Sequence, residues 1–171
     1  MQSIKKIFLC GFMGAGKSTF LEKFSGSGFE LIDLDERILQ TTSYSRLDDF
    51  IDGTGWETFR EIEFKNLSEI LKKNVNMVVA LGGGAFTDGF QSLLRQSKDN
   101  STVWLNTSLE VCLKRIFTSS NRPLAKKGEE YLRNLYLERE EDYKKCDIFL
   151  NQKEQESVRS IKDLISLIPS K

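Results

Sequence analysis

The amino-acid sequence predicts an α/β fold in three layers, α/β/α, built around a five-stranded parallel sheet. Short apolar runs alternate with helix-period stretches from one end of the chain to the other, the pattern of a parallel sheet wrapped by its crossover helices. The first apolar run, Ile7 to Cys10, passes directly into GFMGAGKST at 11–19, a glycine-rich turn of the form GxxxxGK[ST] between strand and helix. The length, 171 residues, is that of one domain and suffices to bury a core without disulfide or metal staples.

Strands are read at Ile4 to Cys10, Phe29 to Asp33, Asn76 to Leu81, Thr102 to Leu105 and Asp147 to Leu150, each a short run rich in apolar residues. Helices are read at Lys17 to Phe24, Glu36 to Leu39, Arg46 to Asp52, Glu57 to Lys73, Gly89 to Gln96, Leu109 to Phe117, Glu130 to Lys145 and Gln155 to Ile168. Two connections break the alternation. Residues 35–71 place helices consecutively between the second and third strands, and 118–128 is polar and basic, with the composition of a mobile loop.

The turn at 11–19 is a phosphate cradle in its proper setting. Its glycines let the backbone curl so that successive N–H groups converge on one anionic point, and the helix that follows aims its dipole there. Gly14, Ala15, Gly16, Lys17, Ser18 and Thr19 are the expected contacts, with Lys17 reaching the β and γ phosphates and Ser18 offering its hydroxyl to Mg²⁺. The expected ligand is a nucleoside triphosphate. An insertion after the second strand and a loop late in the chain are where a small kinase keeps its acceptor site and its lid.

Composition narrows the rest. Lys plus Arg equals Asp plus Glu at 25 each, so no overall basic field attracts nucleic acid or a membrane surface, and the expected partner is a small molecule. Cys10, Cys112 and Cys146 are odd in number and contain no CxxC pair, which suits a reducing compartment. No apolar run approaches the ~20 residues of a membrane span, and Met1 to Lys6 does not read as a signal sequence, so a cytoplasmic protein is expected. The chain contains no histidine. Acid or base chemistry must then come from a carboxylate or from water.

LIDLDER ends an apolar strand in Asp33 and Asp35, which in an extended chain share a face and point into the crevice at the carboxyl edge of the sheet. One can hold Mg²⁺ through water while the other receives a hydroxyl proton; the alternative is a helix N-cap, with Glu36 adding favourable charge. Arg60 and Glu63, behind Phe59, have the spacing of an ordinary surface salt bridge. VVALGGG at 78–84 ends a strand in Gly82, Gly83 and Gly84, where a bound molecule or another backbone comes very close. A motor ATPase or GTPase would end that strand in the acid that holds magnesium. Here Asp33 is the candidate instead. Arg122, stiffened by Pro123, is placed to swing over a triphosphate or simply to be solvated in its loop. Arg139 and Tyr143 fall in a charged helical run that reads as a wet face.

Taken in order, GFMGAGKST, DLD, FRxxE, GGG, RPL and RxxxY resemble the shikimate kinase family, whose fold is that of the nucleoside monophosphate kinases; the match runs from about residue 7 to 150. The resemblance implies phosphorylation of the 3-hydroxyl of shikimate by ATP and Mg²⁺, in aromatic amino-acid biosynthesis. It further implies that Asp35 contacts the reacting hydroxyls, that Arg60 and Arg139 clamp the shikimate carboxylate, and that Gly82 to Gly84 line the acceptor pocket. Arg122 becomes the lid arginine, and Arg115 flanks the adenine. A single kinase domain, 1–171, is expected as a monomer, with its acceptor insertion at about 35–71 and its lid at about 118–128.

Three features depart from the family pattern. Gly55 and Trp56 stand where Gly-Glu is usual; Asn151, Gln152 and Lys153 follow the last strand without the usual proline; and the lid reads RPLAKKG, with Ala125 where a second leucine is common. Two other readings remain. A gluconate kinase shares the phosphate loop but typically carries histidine in its acceptor region, and a nucleotide-binding module without catalysis would need only the first few of these residues.

Overall fold

The computed structural model describes residues 5–119 and 123–169. Five strands, β1 (Lys6–Cys10), β2 (Glu30–Asp33), β3 (Met77–Ala80), β4 (Asn100–Leu105) and β5 (Ile148–Leu150), form one sheet in the order β2-β3-β1-β4-β5. Every neighbouring pair is parallel. Around it run α1 (Lys17–Glu22), α2 (Leu34–Gln40), α3 (Leu47–Thr54), α4 (Trp56–Lys72), α5 (Asp88–Leu94), α6 (Leu109–Thr118), α7 (Glu129–Tyr143), α8 (Gln152–Ser157) and α9 (Ile161–Leu167). The expected sheet and its layers are present. From β1 the chain moves to one side for β2, returns through β3 and crosses to the other side for β4 and β5. The reversal lies beside β1, so the ligand crevice of such sheets opens at the carboxyl end of that strand.

β1 and β3 are buried at every residue, which is why, Lys6 apart, they read as unbroken apolar runs. β4 is equally buried but begins with Asn100, Ser101 and Thr102, so its start was concealed from hydropathy. Tertiary partners satisfy Asn100 and Thr102. Thr102 donates its N–H and its hydroxyl to Asp147 Oδ2 at 2.7 and 2.9 Å, and Asn100 donates to the carbonyl of Leu94 at 3.0 Å.

Two expectations are corrected. The single helix expected over Gln155 to Ile168 is two, because Asn151 and Ser160 each form a capping box, with Glu154 and Asp163, and a cap starts a new helix rather than continuing an old one. The segment 118–128 is not loop throughout: Pro123–Lys127 make a 3₁₀ turn whose Leu124 is only 5% exposed. Lys126 on that turn meets Asp52 of α3 at 3.3 Å.

Candidate active site

The phosphate loop is held from below. Gly14 has φ +81°, and a Cβ there would stand 2.7 Å from the backbone oxygen of Cys112 on α6, so the position requires glycine twice over. Thr107, buried after β4, donates its hydroxyl to the carbonyl of Ala15 at 2.9 Å, and Arg115 donates from Nη1 to that of Gly14 at 2.9 Å. Lys17 lies across the loop, donating from Nζ to Gly11 O at 2.7 Å and Phe12 O at 3.1 Å.

Asp33 realises both of its sequence readings. Its Oδ1 accepts from the N–H groups of Asp35 and Glu36 at 3.1 and 3.3 Å, capping α2, while Oδ2 accepts from the Ser18 hydroxyl at 2.5 Å. Because that cap starts the helix at Leu34, Asp35 sits in its first turn and does not share an extended face with Asp33, as the sequence had suggested. The two acids nonetheless border one cavity of about 100 Å³ with Lys17, Ser18 and Thr19. A hydroxyl and a carboxylate oxygen side by side are hard donors that fit Mg²⁺, an ion that keeps most of its shell as water and phosphate oxygen. A second cavity, about 410 Å³, flanks the loop between Arg115, Lys23, Phe20, Gln152 and Gln155. Its far wall is α8, which the Asn151 cap sets where a proline was expected, and Gln155 ties that wall to Leu150 O and to Thr107 at 2.9 and 3.3 Å. Gln152, Gln155 and Thr107 carried no sequence signal beyond their polarity.

A third cavity, about 50 Å³, collects the remaining candidates: Asp35, Arg60, Glu63, Gly82 to Gly84 and Arg139 on its polar side, with Met13, Leu47, Ile51, Trp56, Phe59 and Leu124 opposite. The glycines are where these side chains converge. A Cβ on Gly82 would stand 2.9 Å from Asp35 Oδ1 and 2.7 Å from Glu63 Oε1, and one on Gly84 would meet Arg139 Nη2 at 2.8 Å and Arg60 Nη2 closer still. Phe59 and Glu63 are 2% and 3% exposed, so FRxxE is no surface salt bridge. Arg60 donates from Nη1 to Glu63 Oε2, and its guanidinium stands 5.4 Å from the Trp56 ring and 5.2 Å from the Phe59 ring. Trp56 thus replaces an acidic contact with an aromatic one. Glu63 Oε1 is buried and has no hydrogen-bond partner among the described residues. Burial pushes the Glu63 carboxyl above the ordinary range, against the pull of Arg60.

Arg139 is half-buried at the acceptor cavity, so of its two readings the wet helix face does not describe it. Its guanidinium packs against the Phe12 ring at 5.8 Å, and burial, aided by the like charge of Arg60, holds its pKa below the usual value. Among the described residues it forms no salt bridge. A desolvated cation without an acid partner is costly unless a ligand supplies the anion. Arg122 lies outside the described residues. A further cavity of about 480 Å³ opens at the opposite, amino end of the sheet near Lys6 and Asn100, away from every motif above.

The family model for shikimate kinase matches residues 13–168. The chain belongs to the shikimate kinase family. It is 30% identical to the shikimate kinase of Persephonella marina across 96% of this chain and 99% of that one, and 28% identical to that of a Sulfurihydrogenibium species across 96% and 98%. Among solved structures, the shikimate kinase of Acinetobacter baumannii in complex with shikimate superposes with a TM-score of 0.82 at 28% identity, covering 97% of this chain and 93% of that one. The shikimate kinase of Aquifex aeolicus gives 0.78 at 32% identity over 95% of each. As a shikimate kinase the chain transfers a phosphoryl group from ATP to the 3-hydroxyl of shikimate, yielding shikimate 3-phosphate for aromatic amino-acid biosynthesis. No helix among the described residues is long and apolar enough to cross a membrane.

Proposed function

We propose the following division of labour. Backbone groups of Gly14 to Thr19 and the Lys17 ammonium hold the ATP phosphates, Arg115 flanks the adenine, and Arg122 covers the triphosphate from the lid. Ser18 and Asp33 hold Mg²⁺, which when bound neutralises charge on the β and γ phosphate oxygens. Arg60 and Arg139 clamp the shikimate carboxylate, Gly82 to Gly84 give the ring room to approach, and Asp35 accepts the 3-hydroxyl proton. The hydroxyl oxygen then attacks the γ phosphorus in line, and the bond to ADP breaks.

One observation carries this reading: Arg139, half-buried and without an acid partner among the described residues, meets Arg60 beside Gly84. Two forked guanidinium donors beside a carboxylate that can take a proton suit an anionic triol better than a neutral polyol. We further propose that the enzyme works as a monomer in the cytoplasm, where a reducing environment suits Cys10, Cys112 and Cys146, none of which forms a disulfide. ADP release measured with shikimate, shikimate methyl ester and gluconate tests the acceptor assignment. Shikimate alone should be turned over efficiently; equal use of the methyl ester would remove the carboxylate clamp, and use of gluconate would favour the alternative acceptor.

A further inference from the structure

We propose that Tyr143 is a positioning residue of the acceptor site, fixing the peptide between Gly83 and Gly84 so that its N–H joins Arg60 and Arg139. This rests on the acceptor assignment above. Tyr143 closes α7 one turn after Arg139, on the same face. It is 2% exposed, its ring lies against Trp104 at 5.8 Å, and its hydroxyl donates to the carbonyl of Gly83. Nothing in the phosphoryl transfer itself uses this phenol. Burial pushes its pKa upward, so it stays a neutral donor throughout the working range.

The consequence follows from peptide geometry. In a trans peptide the C=O and the next N–H point in opposite directions. Tyr143 draws the Gly83 oxygen toward the core, which turns the Gly84 N–H the other way, toward the cavity that Gly83 and Gly84 line. That N–H makes no hydrogen bond among the described residues. It stands where the guanidinium groups of Arg60 and Arg139 close on Gly84. A donor there adds to the forks a fixed third contact for the acceptor's carboxylate. One helix therefore supplies both a donor, Arg139, and the pin that aims the backbone donor beside it. Without the pin, the glycine pair has wide conformational freedom and the peptide is at liberty to rotate.

The test is Tyr143→Phe, which keeps the ring and removes only the hydroxyl. The shikimate KM, and the shikimate Kd by calorimetry, should rise about three- to tenfold, the range for one lost hydrogen bond. The ATP KM and kcat should stay within about twofold on the same scale. Unchanged shikimate affinity, or a parallel fall of all parameters with Tm, overturns the proposal and leaves Tyr143 a core side chain. If the variant does not fold, the unaltered enzyme labelled with ¹⁵N-glycine decides. The Gly84 amide, one of 12 glycine signals, should shift strongly on adding shikimate and little on adding an ATP analogue. An amide that ignores shikimate overturns the proposal. Failure of the unaltered enzyme to phosphorylate shikimate would instead sink the acceptor assignment, so the two failures are separable.

Discussion

Arg60 and Arg139 bring like charges to the same glycine. They come from α4 and α7, helices far apart in the chain, and their guanidinium groups meet where a side chain on Gly84 would stand. Glu63 pairs with Arg60, whereas Arg139 has no acid partner among the described residues, and the two cations raise each other's cost. A bound carboxylate relieves that repulsion.

Removing either guanidinium should therefore act on one substrate. Arg139→Ala and Arg60→Ala are expected to raise the shikimate KM roughly ten- to a hundredfold, from about 1.5–3 kcal/mol per bond to a charged group. Lysine should rescue poorly, because it keeps the charge and loses the fork. Steady-state kinetics with ATP varied at saturating shikimate should show an ATP KM close to that of the unaltered enzyme. Unaltered shikimate saturation in both alanine variants would make these residues ordinary helix charges.

Gly84→Ala tests the convergence from the other side. Gly84 is not among the glycines with positive φ, so alanine meets no backbone strain there, only the two guanidinium groups. The shikimate KM should rise by about tenfold or more, while calorimetry shows ATP-analogue affinity intact, since ~1.4 kcal/mol of displacement is one decade. Wild-type kinetics would mean that both arginines can withdraw without loss and do not clamp the acceptor.

The sheet and the phosphate loop were legible because their physics is local. Buried parallel strands are apolar runs, and a loop that curls around phosphate needs glycines at fixed spacing. The acceptor arginines were legible only through family resemblance. Arg60, Glu63 and Arg139 fall in charged helical stretches, and a helix that buries its ions against another element has the same spacing as one that solvates them. The pairing of Glu63 with Arg60 in the interior depends on α4 meeting the glycine run, which no window of sequence contains. Leu124 was hidden for the same reason: one leucine in a polar basic stretch gives no period, yet it fills the apolar wall opposite the arginines. The break between α8 and α9 is different. Val158, Ile161 and Leu164 keep helical spacing across it and are all buried, and only the capping box at Ser160 announces the interruption.

Glu63 predicts an unusual pH dependence of stability. Its folded pKa lies above the ordinary carboxyl value because burial outweighs the attraction of Arg60. A raised carboxyl pKa favours the fold most below the unfolded value, and that contribution is lost as pH rises through the folded one. Glu63→Gln stays neutral at every pH. The melting temperature of the variant relative to the unaltered enzyme should therefore be more favourable at pH 8 than at pH 4, while its shikimate KM rises because Arg60 loses its anchor. A Tm difference that is flat with pH would show that the carboxyl titrates as an exposed acid does.

Asp33 and Asp35 separate the metal from the proton. Asp33 spans two tasks, capping α2 through Oδ1 and holding Ser18 through Oδ2, whereas Asp35 points to the Gly82 edge of the acceptor cavity beside Glu63. Asparagine is a good N-cap, so Asp33→Asn should keep the melting temperature while losing the anionic oxygen. Its effect should appear as a higher Mg²⁺ concentration needed for half-maximal rate. Asp35→Asn leaves the oxygens at Ser18 and Asp33 in place and removes the group that takes the hydroxyl proton. Its Mg²⁺ requirement and ATP affinity should stay near those of the unaltered enzyme, with kcat lower by about a hundredfold or more, the scale of a positioned general base. Titrating Mg²⁺ against initial rate for both variants distinguishes the roles. If Asp35→Asn shifts the Mg²⁺ midpoint and spares kcat, the two assignments are exchanged; if it does neither, Asp35 serves only the first turn of α2.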